Sequence, residues 1–263
     1  MTSSKGCGTV VREKAATHHG VNPELLAVKR PSPSNRQQQS SMDEIIFVGS
    51  LSELTRINSS KVQLAVWQRP HVPPFVTKLS DPSIDAMSIP AFESVVTPHD
   101  VVSYLKSHLC CPYSLRSKKR NALNDDDMDE LVKDIGQLVR AFADVSKSEF
   151  VNVKLEVIGD NGCQFWHQDS VPLRMVATYR GPCTEWVPPA WGQSTLRRRK
   201  CNSKHSQSLS HYDVALFKGQ GETTENSPLL NQEGIVHRSP RIDGCGISRL
   251  VLVLDIPQEG WHF

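Results

Sequence analysis

Apolar and polar positions change their period part-way along the chain. From Glu149 onward they alternate in twos: in FVNVKLEVIG, Val151, Val153, Leu155 and Val157 stand against Asn152, Lys154 and Glu156, as in a strand with one face buried. A turn at Gly159–Gly162 follows, and then the short runs CQFWHQD, LRMVATYRG, DVALFKG and SRLVLVLDIP. Upstream the period is helical. In DDDMDELVKDIGQLVRAFADVSK, Met128, Leu131, Val132, Ile135, Leu138, Val139 and Phe142 mark one face. Asp125–Asp127 suit the N-terminal end of its dipole, and Lys147 lies near the other end. Pro98-His99-Asp100 leads into a shorter helix, VVSYLKSHL. Further upstream, KVQLAVWQRP sets Val62, Leu64 and Val66 against Lys61, Gln63 and Ala65 and stops at Pro70, which predicts a strand buried on one face. The order of elements predicts an α+β fold. Its N-terminal helical layer, with helices mainly in 98–147, packs on a C-terminal double-stranded β-helix, a cupin-like jelly roll, over 149–257.

Two segments fall outside these periods. Residues 1–41 end in the Pro/Ser/Gln-rich run KRPSPSNRQQQSS and read as a disordered leader, with a single α+β domain over 42–263. Residues 192–211, GQSTLRRRKCNSKHSQSLSH, read as a polar, basic loop inserted between two strands. Arg197–Lys200 alone do not support a nucleic-acid partner. The whole chain carries 30 Lys+Arg against 28 Asp+Glu, a net charge of +2, which excludes a polyanion binder driven by bulk charge. No run approaches the length of a membrane span, and MTSSKGCGTVVREK lacks the apolar core of a secretory signal, so an intracellular, cytoplasmic protein is expected. Seven cysteines are scattered without a CxxC pair. Their odd number and low density argue against a disulfide framework, and their spacing excludes the usual cysteine-built zinc modules.

The residues that carry candidate chemistry are His167, Asp169 and His237. On a strand, side chains two apart share a face, so His167 and Asp169 converge and Gln168 points away. His237 comes 68 residues after Asp169, just before the last strand. Two histidines and one carboxylate form the ligand set of non-haem Fe(II) oxygenases, with further positions left open. Arg249 lies 12 residues past His237 on RLVLVLD and shares a face with Val251 and Val253. If that face is interior, a buried guanidinium there requires an anion, and its fork suits a carboxylate. Arg249 is placed as barrel-type 2-oxoglutarate oxygenases place the basic residue for the co-substrate's distal carboxylate. Their Arg-x-Ser is missing, because Leu250 and Val251 follow and Ser248 precedes. Other readings stay open. The histidines could be hydrogen-bonded structural residues with Asp169 capping a turn. Alternatively, Cys163 could join the three in a zinc site, or pack as a small apolar residue. In a structural or zinc reading Arg249 pairs instead with Asp255 or Glu185.

Longer blocks resemble a known family. WHQDSVPLRMVATYRGPCTEWVPP, DVALFKG and GIVHRSPRIDGCGISRLVLVLD, with VNVKLEVI and AVWQRP, are similar to the family of domain of unknown function 1826 over roughly residues 44–257. The resemblance brings together His167–Asp169, the Thr-Tyr-Arg-Gly-Pro block at Thr178–Pro182 and the Val-His-Arg-Ser-Pro block at Val236–Pro240. Thr178 and Tyr179 join Arg249 as candidate cofactor-binding residues, and an interior Arg174 or Arg180 would favour a small anionic co-substrate. The family's bacterial members imply a link with zinc homeostasis. Two functions are therefore expected: an Fe(II)/2-oxoglutarate-type oxygenase of unknown substrate, or a zinc-binding protein without oxygenase activity.

Overall fold

A computed structural model of the protein describes residues 44–109, 123–160, 162–221 and 234–258, and the leader expected over 1–41 lies outside them. In chain order the elements are β1 (Ile45–Val48), β2 (Leu64–Trp67), α1 (Pro74–Leu79), β3 (Phe92–Val96), α2 (Val101–Leu109) and α3 (Asp125–Ser146). Then come β4 (Val151–Ile158), β5 (Leu173–Arg180), β6 (Glu185–Trp186), α4 (Pro189–Arg198), β7 (Gln207–Ser208), β8 (Val214–Lys218), β9 (His237–Arg238) and β10 (Arg249–Asp255). Seven strands form one sheet in the order β1-β2-β8-β5-β10-β4-β3, and three form a second in the order β7-β6-β9. Apart from the parallel β1–β2 pair, the ladders are antiparallel.

The two faces of the large sheet bury different partners. Leu173, Met175, Ala177 and Tyr179 of β5, with Leu250, Leu252 and Leu254 of β10, pack among the apolar faces of α1, α2 and α3. Val176, Val251, Ala215, Phe217, Leu64 and Val66 point the other way, toward Trp186 of the small sheet, Cys183, Leu209 and Ile235. The 2-residue period of the strands thus divides one sheet between a helical layer and a second β layer.

Helix α3 shows why the helical side is firm. Asn124 Oδ1 accepts from the Asp127 backbone N–H at 2.8 Å, an N-cap. The chain leaves the helix at Lys147 with φ 58°, a left-handed residue. Leu131, Val132, Ile135, Leu138, Val139 and Phe142 are buried, each contributing about 2 kcal/mol of gross apolar stabilisation. Asp134 of this helix reaches the sheet side. It accepts from Arg69 Nη1 at 2.6 Å and Nη2 at 3.2 Å, from Tyr179 Oη at 2.6 Å and from Tyr212 Oη at 3.1 Å.

Three expectations are corrected. Strands and helices are not divided between the two halves of the chain, since β1, β2 and β3 join strands of the second half in one sheet. Strand β2 is buried on both faces, Ala65 included, because it lies inside that sheet, and Val62 falls outside it. The polar segment 192–211 is not simply a loop. Its first part completes α4, which starts with Pro189 in the first turn and ends at Arg199 with φ 51°, and its end forms β7. This helix buries only a narrow strip, Gly192 and Thr195, with Leu196 against Trp166, Val187 and Val236. So few apolar contacts leave little periodicity to read. No helix among the described residues is long and apolar enough to cross a membrane.

Candidate metal centre

His167 and His237 are brought together by their backbones. Each N–H donates to the other's carbonyl, at 3.0 and 2.9 Å, in an isolated antiparallel bridge. Only His167 of the His-x-Asp run is in a ladder, so strand alternation is not what turns Asp169 inward. The loop after His167 does so. The Gln220 N–H donates to the Asp169 carbonyl at 2.8 Å, and the Gly219 N–H to that of Pro172 at 3.1 Å. Gly219 is required there, because a Cβ on it would stand 2.0 Å from the Val171 carbonyl oxygen. Gln168 points away, donating to the Gly234 carbonyl.

The ligand atoms of His167, Asp169 and His237 all lie within 4.8 Å of one another. His237 Nε2 is 3.3 Å from Asp169 Oδ2, and His167 Nε2 is 3.8 Å from Asp169 Oδ1. Both imidazoles have their outer nitrogen engaged: His167 Nδ1 donates to the Phe165 carbonyl at 2.8 Å and His237 Nδ1 to that of Ile235 at 3.1 Å. Those bonds fix the tautomer, so each Nε2 presents a lone pair. Burial also drives the His237 pKa down to about 4, which keeps this ring neutral. The His237 Nε2 lone pair therefore faces a carboxylate oxygen. Asp169 Oδ2 is buried without a hydrogen-bond donor. Such an arrangement is repulsive unless a cation sits among the atoms. Ligands about 2.1 Å from one ion and at right angles stand about 3 Å apart, close to the spacing here, so the residues fit a metal.

Arg174 supports the carboxylate. Its Nη1 donates to Asp169 Oδ1, while Nε and Nη2 donate to Asp255 Oδ1 and Oδ2 at 2.7 and 2.8 Å. Burial raises the Asp255 pKa while the Arg174 bonds oppose it. Cys163 stands beside the centre, Sγ 3.5 Å from His167 Nδ1 and 3.8 Å from Nε2. It is not among the converging ligands, and burial together with the nearby Asp169 charge raises its thiol pKa in the absence of a metal.

A cavity of about 540 Å³ joins this centre to Arg249. Arg249, Val251 and Val253 line it from β10, Arg174 and Val176 from β5, and Ser239 and Thr184 from the facing side. Exposed Asp160, Gly162 and Cys163 mark its open side. Arg249 is 1% exposed. Its Nε donates to the Pro182 carbonyl at 2.7 Å and its Nη1 to Ser239 Oγ at 3.1 Å. Gly181, at φ 80°, lets that carbonyl approach, since a Cβ there would stand 2.7 Å from the Ser248 carbonyl oxygen. Among the described residues no carboxylate lies within 4.0 Å of Arg249, so three of its five N–H groups are left over in the cavity. Burial pushes its pKa down to about 10, outweighing the opposing effects of Cys183, Glu156 and Glu185. The neighbouring carboxylates are paired elsewhere: Asp255 with Arg174, Glu185 with Arg238, at 2.7 Å from both Nε and Nη2, and Glu156, which also lines the cavity, with Lys154 at 2.7 Å.

Residues 49–255 match the family described as protein of unknown function (DUF1826). The chain belongs to this family. Solved structures are similar to this DUF1826 chain at low identity. One is dioxygenase for auxin oxidation 1 from Arabidopsis thaliana in a complex with 2-oxoglutarate, with 13% identity and a TM-score of 0.43 over 84% of this chain and 95% of that one. Another is AviO1 from Streptomyces viridochromogenes Tue57, with 11% identity and a TM-score of 0.36 over 82% and 99%. A third is a prolyl-4-hydroxylase from Pseudomonas putida, with 12% identity and a TM-score of 0.30 over 73% and 99%. No curated protein matches the sequence significantly.

Two cofactor candidates of the DUF1826 chain lie away from this cavity. Tyr179 points to the opposite face of the sheet, where it is fully buried and donates to Asp134. Thr178 shares the Arg174 face and is buried, yet it does not line the cavity. Arg180 turns aside to donate to the Ile84 carbonyl at 2.8 Å. The residues that sequence reasoning missed are Ser239, beside Arg249, and Asp255 as the partner of Arg174. The signal for Asp255 was present, because 249, 251, 253 and 255 alternate onto one face of β10.

Proposed function

We propose that this chain is a non-haem Fe(II)/2-oxoglutarate-type oxygenase, with its two facing sheets forming a double-stranded β-helix around the cofactor cavity. In this reading His167, Asp169 and His237 hold the metal and Arg249 receives the far carboxylate of 2-oxoglutarate. The observation that carries it is a cavity with the converging His167, Asp169 and His237 at one end and, at the other, a buried guanidinium that has no carboxylate within 4.0 Å among the described residues. A dicarboxylate that chelates a metal through its 2-oxo acid end and presents a second carboxylate further on matches both.

Ferrous iron bound there supplies the redox chemistry by which one oxygen atom of O₂ enters the substrate C–H bond and the other enters succinate as 2-oxoglutarate loses CO₂. The chain's own residues do the rest. The His167 and His237 rings are fixed by their Nδ1–H bonds to backbone carbonyls. Arg249 and the Ser239 hydroxyl orient the co-substrate's distal carboxylate, and Val176, Val251 and Val253 keep that end of the cavity apolar. Arg238, held by Glu185 and lying over Trp166 at 4.4 Å, is committed to the cavity wall.

The second reading, a zinc-binding protein without oxygenase activity, has Cys163 in its favour as a neighbour of His167. Its place outside the ligand set favours the first. Metal analysis of purified protein, followed by anaerobic titration of the Fe(II)- or Mn(II)-loaded chain with 2-oxoglutarate, tests the choice. Iron or manganese binding with thermal stabilisation by 2-oxoglutarate is expected. Zinc that is retained against chelators, with no response to 2-oxoglutarate, would establish the second reading.

A further inference from the structure

Arg174 stands between two buried carboxylates. It lies on β5 directly opposite Asp255 of β10 in the ladder. Its Nε and Nη2 donate to the two Asp255 oxygens at 2.7 and 2.8 Å. This fork fixes the plane and direction of the guanidinium. The remaining edge, through Nη1, meets Asp169 Oδ1. Side-chain exposure is 3% for Asp169 and 4% for Asp255, so solvent does not dilute the arrangement. Of the two Asp169 oxygens one is committed to Arg174. The other, Oδ2, has no donor and faces His237 Nε2 at 3.3 Å. An ion pair that merely tied β5 to β10 would be complete with Asp255 alone. It would account neither for the third contact nor for the orphaned oxygen.

A carboxylate can ligate a cation through one oxygen or through both. Around a six-coordinate ion, two imidazoles and one oxygen leave three positions, whereas two imidazoles and two oxygens leave two. A chelating 2-oxo acid takes two by itself. We propose that Arg174, locked by Asp255, is a positioning residue that holds Asp169 to single-oxygen ligation and so keeps one position open beside a chelated co-substrate. This rests on the oxygenase reading given above. Asp255 is thereby part of the centre's support, although it does not touch the metal.

The test uses the full chain loaded with Co(II) under anaerobic conditions, because cobalt's visible absorption reports coordination number. Arg174→Gln alone leaves Asp255 buried without its cation and endangers the fold. The double variant Arg174→Gln/Asp255→Asn removes both charges together, and Arg174→Lys keeps the charge without the fork. Folding is checked by circular dichroism, affinity by competition with a chromogenic chelator, and geometry by the spectrum before and after 2-oxoglutarate. The double variant is expected to bind Co(II) about 10–100-fold more weakly and to lose the wild-type spectral response to 2-oxoglutarate, with Arg174→Lys between the two. A folded double variant with wild-type affinity and response overturns the proposal. Failure of the metal reading would show earlier and separately, in a wild-type chain that takes up no Co(II) or whose uptake is unchanged by His167→Ala.

Discussion

Replacing Arg249 with methionine separates a co-substrate residue from a structural one by the sign of its effect. Arg249 is a fully buried large side chain, and deleting a partner of a buried ion pair ordinarily costs about 3–5 kcal/mol. Here no carboxylate lies within 4.0 Å among the described residues, although Glu156 and Glu185 act on it from further off. The downward displacement of its pKa to about 10 corresponds to a net penalty on the charged form of about 3 kcal/mol, at roughly 1.4 kcal/mol per tenfold change. Against that relief stand its two hydrogen bonds, to the Pro182 carbonyl and Ser239 Oγ, at about 1–1.5 kcal/mol each. The terms nearly cancel. Metal-free Arg249→Met should therefore unfold in urea within about 1 kcal/mol of wild type, while methionine fills the space of the stem. The loaded proteins should differ. At a co-substrate concentration of 100 times Kd, wild type gains about 2.7 kcal/mol from 2-oxoglutarate, a rise in Tm of several degrees, and Arg249→Met gains none. A loss of about 3 kcal/mol or more in the metal-free variant, with 2-oxoglutarate still stabilising it, would refute the reasoning.

Two further outcomes are expected. Lys218 is 1% exposed and donates to the Ser59 carbonyl at 2.7 Å, and burial pushes its pKa down to about 8. Between that value and the unfolded one near 10.4 the unfolded chain holds more protons, so wild-type stability contributed by this group rises with pH and is lost as pH falls through 8. Urea unfolding at pH 8 and pH 9.5 should show the stability of wild type relative to Lys218→Met rising by about 1.5 kcal/mol, and an unchanged difference would count against a buried lysine. Tyr179→Phe removes the bond to Asp134, which costs about 1.5–3 kcal/mol of stability in urea unfolding. Metal affinity and the response to 2-oxoglutarate, measured by the same titrations, should be unchanged, because the hydroxyl lies on the helical face of the sheet.

What the sequence made legible follows from where the information is local. The stripe from Met128 to Phe142 marks α3, and alternation marks β4, β5, β8 and β10, because each element buries one or both faces at a fixed period. The placement of Arg249 on one face with Val251 and Val253 was readable for the same reason. The pairing of Arg174 with Asp255 was not. It depends on the register between β5 and β10, residues 81 positions apart, and nothing in either run specifies which residue stands opposite which. Tyr179 was misread because a polar residue in a block with charged neighbours looked like a site residue, whereas its position, odd with Met175 and Ala177, already put it on the helical face. Helix α4 was missed because its contact strip is narrow. Its signals were its first-turn proline and the closing Leu196-Arg197-Arg198, not a hydrophobic stripe.

The order of strands in the large sheet has a consequence for how the chain acquires its shape. β10 follows the other described strands in sequence yet lies between β5 and β4, hydrogen-bonded to both. Until it is available, the sheet exists as two parts: β1, β2, β8 and β5 on one side, β4 and β3 on the other. During synthesis at about 5–20 residues per second, the stretch from the end of β4 to the start of β10 takes roughly 5–20 s. From the time each strand is made until β10 arrives, the inner edges of β4 and β5 present unpaired backbone groups beside Val153, Leu155, Met175 and Val176. Such edges are templates for pairing with another chain. The long-range closure by β10 therefore makes folding slow relative to a helical protein of this size, and it prolongs the time for which those edges stay open.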